Sequence, residues 1–387
     1  ASDVYKRQPA YYDDLKIELL NKSTRPVFKK ENIGIQIKSK DLDKLFKYRD
    51  KSIKNGVIGK SLKKYFRGIM VYNKKEIPIK IRLKGDWVDH LSGDKWSFRI
   101  KILGDKYFKG MKAFSIQHPK TRSFLKEWIM HKIFKDENIL TTRYGFITAS
   151  LNGNNLGIYA YEEHFSKELL QHNNKTEAPI LKFNEEGIWQ TRLNNPKNKN
   201  LYPFFEASDI IPFQKKSILS SNSLKKDFEK GFKLMTKYKE FNGNLEDIFD
   251  LNYTAKLYAL YDIGKIRHSY HWHNQRFYYN PKANKLEHIA FDCYAGIEEG
   301  IEDVIYGYSE KNSYDFKMTY LSKQFFNNDL FVANYKKFLD KFSNEKYLTN
   351  IINKYSTSSD SLNTILKYEF QDYNFDINYL VDNAKAI

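Results

Sequence analysis

Three histidines, His268, His271 and His273, fall within six residues, and Asn274 follows them directly. Such a cluster points to a metal site or to a general base, because an imidazole of ordinary pKa, about 6.5, exchanges protons near neutrality. His271 and His273 would point the same way on a strand, while His268 and His271 would share a helix face, so no single regular conformation presents all three. The one cysteine, Cys293, offers no second sulfur. Zinc therefore ranks below loop histidines hydrogen-bonded to backbone. Gly56-Val-Ile-Gly59-Lys60-Ser61 mimics a phosphate loop, but it is two residues short of the G-x-x-x-x-G-K-[ST] spacing and follows no apolar strand. It is not expected to hold phosphate. The densest cationic stretch, Lys51 to Lys112, carries 17 Lys/Arg against 5 Asp/Glu.

The whole chain of 387 residues has 65 Lys/Arg and 47 Asp/Glu, a net charge of +18. Richness in Lys, Asn, Ile, Tyr and Phe with few Pro and Gly is the bias of an A/T-rich genome and explains part of this, yet Lys51 to Lys112 holds two thirds of the excess. Hydrophobic residues at 41% and aromatics at 16% exclude disorder for most of the chain, and the length admits two domains or one large two-lobed domain. A single cysteine excludes an intramolecular disulfide framework. No run approaches 18 apolar residues and mean hydropathy is -0.67, so no membrane span is expected. Asp3 to Gln8 (DVYKRQ) reads like a translated transposon end from library preparation. Ala1 to Gln8 is therefore set aside, and the natural N-terminus with any signal peptide is expected to be missing.

The elements that would position these residues follow from the hydrophobic period. Asp41 to Ser52 places Leu42, Leu45 and Phe46 at helical spacing behind Asp41 as N-cap, a short lead-in helix. From Arg67 to Ile102 the period is two. Gly68 to Tyr72 and Ile77 to Leu83 form a predicted hairpin through Asn73 to Lys75, and Trp96, Phe98 and Ile100 alternate with Ser97, Arg99 and Lys101 in a further strand. One face is apolar and the other cationic. Ser123 to Ile139 is an amphipathic helix. Tyr144 to Leu151 and Leu156 to Tyr161 flank Asn152-Gly153, the strongest short hairpin signal. Glu163 to Gln171 reads as helix, Asn173 to Pro212 as a polar insertion, and Leu224 to Tyr238 and Leu245 to Lys265 as two helices. A loop over His268 to Asn274, a hairpin of Arg276 to Tyr279 with Leu286 to Phe291, and helices over Thr319 to Tyr355 and Leu362 to Tyr368 complete the chain. Cys293, after an apolar strand, is expected to be a buried packing residue and not a nucleophile.

The motif wording resembles one family. Arg82-Leu-Lys-Gly-Asp-Trp87, Asp89-His90, Lys95-Trp-Ser-Phe-Arg-Ile-Lys101, Leu151-Asn-Gly153, Gly157-Ile-Tyr-Ala-Tyr-Glu-Glu-His-Phe165, Trp272-His-Asn-Gln-Arg-Phe-Tyr-Tyr-Asn-Pro281 and Leu286-Glu-His-Ile-Ala-Phe-Asp292 occur in this order. They are similar to segments of a subgroup of the spore-coat protein H (CotH) kinase-like family, over roughly Ile77 to Gly296. The resemblance implies an α+β chain with an atypical protein-kinase-like two-lobed fold. Its parts would be a lead-in over 9–66, an N-lobe of strands plus one helix over 67–165, a hinge near Glu162 to Phe165, and a mainly helical C-lobe over 166–387. It also implies a bacterial, spore-coat-like enzyme that transfers phosphate from ATP to Ser or Thr of a secreted or cell-surface protein, with Mg or Mn.

Phosphoryl transfer asks the protein to neutralise phosphate charge, hold a divalent metal through oxygens and position two substrates. On the family reading Arg82, Lys84, Lys95, Arg99 and Lys101 would meet the triphosphate. Glu127 would pair with one of these cations, and Lys182 would line the same cleft. Asn274 and Asp292 bracket 17 residues that contain the predicted hairpin, and they would hold the metal. Asp292→Asn is then expected to weaken metal-dependent nucleotide binding with little change in stability. Two departures matter. Active members carry an Asp near His268 or Ser269, and often Asp-x-Asp where this chain has Asp292-Cys-Tyr294, so His268 would have to serve as the base. The alternative is an inactive pseudokinase that binds nucleotide, an acidic partner or a cell-wall polymer. Nucleic acid is not an expected partner, because no nucleic-acid module is recognisable.

Overall fold

The computed structural model describes residues 31–195, 205–295 and 319–387. Ala1 to Gln8, the lead-in as far as residue 30, and residues 196–204 of the polar insertion lie outside the described residues. The chain is an α+β protein that divides into two compact units. One comprises residues up to 121 with 144–164 and 365–373; the other comprises 122–143, 165–364 and 374–387. The helix Leu125–Asp136, expected among the first strands, is grouped with the second unit.

In the first unit the period-two segments close into a seven-stranded barrel. Its strands are β1 (Asn32–Ile37), β2 (Phe66–Tyr72), β3 (Lys75–Leu83), β4 (Phe98–Ile102), β5 (Ala113–Gln117), β6 (Tyr144–Leu151) and β7 (Asn154–Glu163). The order is β1-β2-β3-β4-β5-β7-β6, and β6 returns to β1 in parallel. Two of these strands, β1 and β5, were not expected, and β1 is the one that joins the ends. Its isoleucines Ile33, Ile35 and Ile37 alternate inward and meet Ile79, Ile81, Ile100, Phe114, Ile116 and Ile147 in the barrel core. The helix Ser39–Asn55 buries Leu45 in the same core. Arg67, Lys80, Arg82, Arg99 and Lys101 occupy the alternate, outward positions.

The hairpin between β6 and β7 forms where Asn152-Gly153 places it. Both residues take positive φ, +49° and +86°, the backbone that a tight two-residue turn requires. The Asn152 side chain also accepts from the Ile37 amide at 2.8 Å and donates to the Ile37 carbonyl at 3.0 Å, tying the turn to the end of β1. Asn152→Ala removes both bonds and puts a Cβ-bearing residue without a compensating amide in a left-handed conformation. It should cost about 2 kcal/mol, read as a lower urea midpoint at unchanged slope.

The second unit contains an antiparallel sheet of order β11-β10-β8-β9, with β8 (Ile180–Phe183), β9 (Ile210–Pro212), β10 (Arg276–Asn280) and β11 (Lys285–His288). Its strands β8 and β9 come from the stretch read as a polar insertion, which corrects that reading. Ile180, Leu181 and Phe183 are buried there, in an apolar run too short to show a period. The expected helix Leu245 to Lys265 breaks into Leu245–Ile248 and Leu251–Ile263, because Asp250 caps the second piece by accepting from the Tyr253 amide at 3.0 Å. Helices Asn222–Lys239, Asp329–Ser343 and Glu345–Lys367 also belong to the described chain. Among the described residues no helix is long and apolar enough to cross a membrane.

Candidate functional site

In the second unit the chain leaves the helix Leu251–Ile263 through two 3-10 turns, His268–Tyr270 and Trp272–Asn274, then runs through β10 and β11 to Asp292. The turns bring distant residues together. His268 Nδ1 lies 3.0 Å from the Asp292 carbonyl oxygen and 3.1 Å from its Oδ1. The Ser269 hydroxyl donates to the Phe291 carbonyl at 2.6 Å, and Asn274 Nδ2 donates to the His268 carbonyl at 2.9 Å. Asp292 itself has φ +55°, a left-handed backbone that costs a non-glycine residue on the order of 1 kcal/mol and persists because bonds on both sides fix it. Of the expected residues, His268 thus contacts Asp292, and Asn274 bonds the His268 backbone. Asn274 Oδ1 has no protein hydrogen-bond partner among the described residues, so the amide keeps one hard oxygen donor for another ligand.

Sequence reasoning missed Arg122. Its Nε lies 2.8 Å from Asp292 Oδ1, and the two residues are only 6% and 8% exposed. Arg122 ends the turn Pro119–Arg122, after which Ser123 and Phe124 both take positive φ, +49° and +51°. An arginine in a Lys/Arg-rich chain gave no sign of this, since the approach depends on that backbone reversal.

Glu127 is also placed differently from expectation. It is fully buried and its carboxylate accepts from the Cys293 amide at 3.1 and 3.0 Å, from the Tyr294 amide at 3.3 Å, and lies 3.0 Å from His131 Nε2. The expected pairing with a strand cation is corrected: the carboxylate clamps the backbone just after Asp292. His131 Nδ1 is held in turn at 2.8 Å from the Thr142 carbonyl. Glu127, His131 and Cys293 place potential metal-ligand atoms within 4.8 Å of one another, but the carboxylate and imidazole already serve as hydrogen-bond partners. Burial, then the Glu127 charge, pushes the Cys293 thiol well above its ordinary pKa. Cys293 should accordingly resist a thiol reagent in the folded protein and react at the free-thiol rate only in denaturant.

Lys182 on β8 stands opposite Arg276 on β10, and both reach Glu185, at 2.6 and 3.3 Å. His273 Nδ1 lies 3.8 Å from the same carboxylate. Burial alone would raise the Glu185 pKa, but Lys182, then Arg276 and His273, hold it well below the usual carboxylate range. The three histidine rings lie 5.9–6.4 Å apart, gathered by two successive 3-10 turns rather than by one regular element. Burial, then His273 and His268, pushes His271 well down, so it is neutral at physiological pH.

In the first unit Arg82 stands directly opposite Arg99, and burial followed by the Arg82 charge lowers Arg99 to about 10. Lys84 donates to Glu162 at 3.3 Å and to Gln117. The turn after it needs Gly85: at φ +108° a Cβ would lie 2.2 Å from the His90 ring. Lys95 is 3% exposed; it pairs with Glu369 at 2.7 Å and donates to the carbonyls of Leu156 and, at 3.1 Å, Ile158. Its ammonium is thus used to anchor the 365–373 segment.

A family model described as CotH kinase protein matches residues 81–380. The chain belongs to the CotH kinase family. No curated protein matches it. The family match begins one residue before Arg82 and takes in every site residue above, while β1 and the helix Ser39–Asn55 precede it.

Proposed function

We propose that this CotH kinase-family chain is an atypical two-lobed kinase of the subgroup with the Trp272 to Pro281 and Leu286 to Asp292 segments, and that it transfers phosphate from ATP to Ser or Thr of a secreted or cell-surface protein. The observation that supports the reading is the contact of His268 with Asp292 across two turns and a hairpin, with Asn274 bonded to the His268 carbonyl. The Asp292 carboxylate and Asn274 amide oxygen are hard donors suited to Mg or Mn, which take few protein ligands and complete their shell with water and phosphate. Such an ion supplies neutralisation of phosphate charge. With Nδ1 engaged by Asp292, Nε2 is the His268 atom that would accept the proton of a substrate hydroxyl. Glu127 acts by holding the amides beyond Asp292.

A second reading, the nucleotide-binding pseudokinase, is favoured by Arg122, whose charge at 2.8 Å already compensates Asp292. Both readings require metal-dependent ATP binding. Calorimetric titration of ATP with Mg, with Mn and with chelator tests this. Binding in the metal-containing titrations alone is the expected result, and binding indifferent to metal, or none, would remove Asn274 and Asp292 from the site.

A further inference from the structure

The outward face of β2, β3 and β4 carries cations in two cross-strand rows. Arg67, Lys80 and Lys101 stand opposite one another on the three strands, and Arg82 stands opposite Arg99 in the next row. Like charges directly opposite one another destabilise a sheet. Other lysines of this unit escape that cost through partners: Lys84 with Glu162, Lys95 with Glu369 and Lys109 with Glu31. None of the five cations in the two rows has a carboxylate within ion-pair distance among the described residues, although Glu162 and Asp86 partly offset the charge of Arg99. The buried Arg99 Nε has no hydrogen-bond acceptor there either. The Tyr65 ring, 5.3 Å from the Arg82 guanidinium and 5.0 Å from the Lys101 ammonium, separates cations of the two rows. On the other side of the Arg67 row the same face turns apolar, where Ile69, 37% exposed, stands opposite Pro78. The first carboxylate on this face of β3 is the exposed Glu76, beyond Pro78.

We infer that the row Arg67, Lys80 and Lys101, with Ile69 and Pro78 beside it, docks an acidic polypeptide segment that carries an apolar side chain. The barrel is closed, so a partner cannot add as a strand and must be recognised through side chains. Carboxylates on the cation row relieve the like-charge contacts, and an apolar residue covers Ile69 and Pro78. A uniformly charged polymer such as a nucleic acid or polyphosphate would neutralise the row but leave the apolar pair in water. The inference does not depend on phosphoryl transfer.

Fluorescence anisotropy with a labelled glutamate-rich peptide containing leucine tests it, with a single-stranded oligonucleotide and linear polyphosphate as competitors and the ionic strength varied. The peptide is expected to bind more tightly than either competitor, and more weakly as salt rises. Arg67→Gln with Lys80→Gln should weaken it about tenfold, while the ligand-free melting temperature stays the same or rises. Ile69→Ser should weaken the leucine-containing peptide but not an all-glutamate one. No peptide binding, equal affinity in the double variant, or tighter binding of the oligonucleotide or polyphosphate would overturn the inference.

Discussion

Asp292→Asn should reduce metal-dependent ATP affinity at least tenfold, about 1.4 kcal/mol or more, and should also lower stability by about 1–3 kcal/mol. The first effect follows from losing a charged oxygen ligand. The second corrects the expectation from sequence that stability would hardly change. Asp292 proves to be the partner of Arg122 at 2.8 Å and of His268 at 3.1 Å, all in a largely buried setting. An amide keeps an acceptor for Arg122 but removes the compensating charge, so the arginine is left with an uncompensated desolvation cost. Melting curves with and without ATP and Mg separate the two effects. Equal ligand-induced shifts in both proteins would take Asp292 out of the nucleotide site, and an unchanged melting temperature would contradict the role of the Arg122 pair.

Glu127→Ala should be more damaging to the fold, by about 3–5 kcal/mol. It removes the acceptor of the Cys293 and Tyr294 amides and the carboxylate beside His131 Nε2 in a fully buried place. Glu127→Gln keeps one acceptor oxygen and should lose noticeably less. Because the clamped amides immediately follow Asp292, the alanine variant should also weaken ATP binding under conditions where it remains folded. Urea unfolding of the three proteins decides the matter, and losses within about 0.5 kcal/mol for alanine would mean the clamp carries no weight.

The parts of the fold set by local chemistry were legible in the sequence. Asn152-Gly153 dictates a turn by backbone conformation alone, and the alternation of Arg82 and Arg99 with apolar neighbours already assigns their faces. Closure was not legible, because it depends on β1 pairing with β2 on one side and β6 on the other. A six-residue alternation does not announce its partners. The candidate site divides in the same way. Asn274 and Asp292 stand out as candidates because they bracket a hairpin, whereas Arg122 reaches Asp292 across a reversal at Ser123 and Phe124 that no residue preference would suggest. Glu127 is expected from sequence to pair with a strand cation, but its partners are backbone amides, which carry no side-chain signature.

We propose that His268, Asn274 and Asp292 form a phosphoryl-transfer centre. Transfer of labelled γ-phosphate from ATP to serine or threonine, on the chain itself or on a serine-rich acceptor, tests that claim most directly. The expected result is incorporation that requires Mg or Mn, is abolished by Asp292→Asn, and is lost in His268→Asn while ATP binding persists. Metal-dependent ATP binding without any incorporation would contradict catalysis and leave the pseudokinase, and incorporation undiminished in both variants would contradict the site itself.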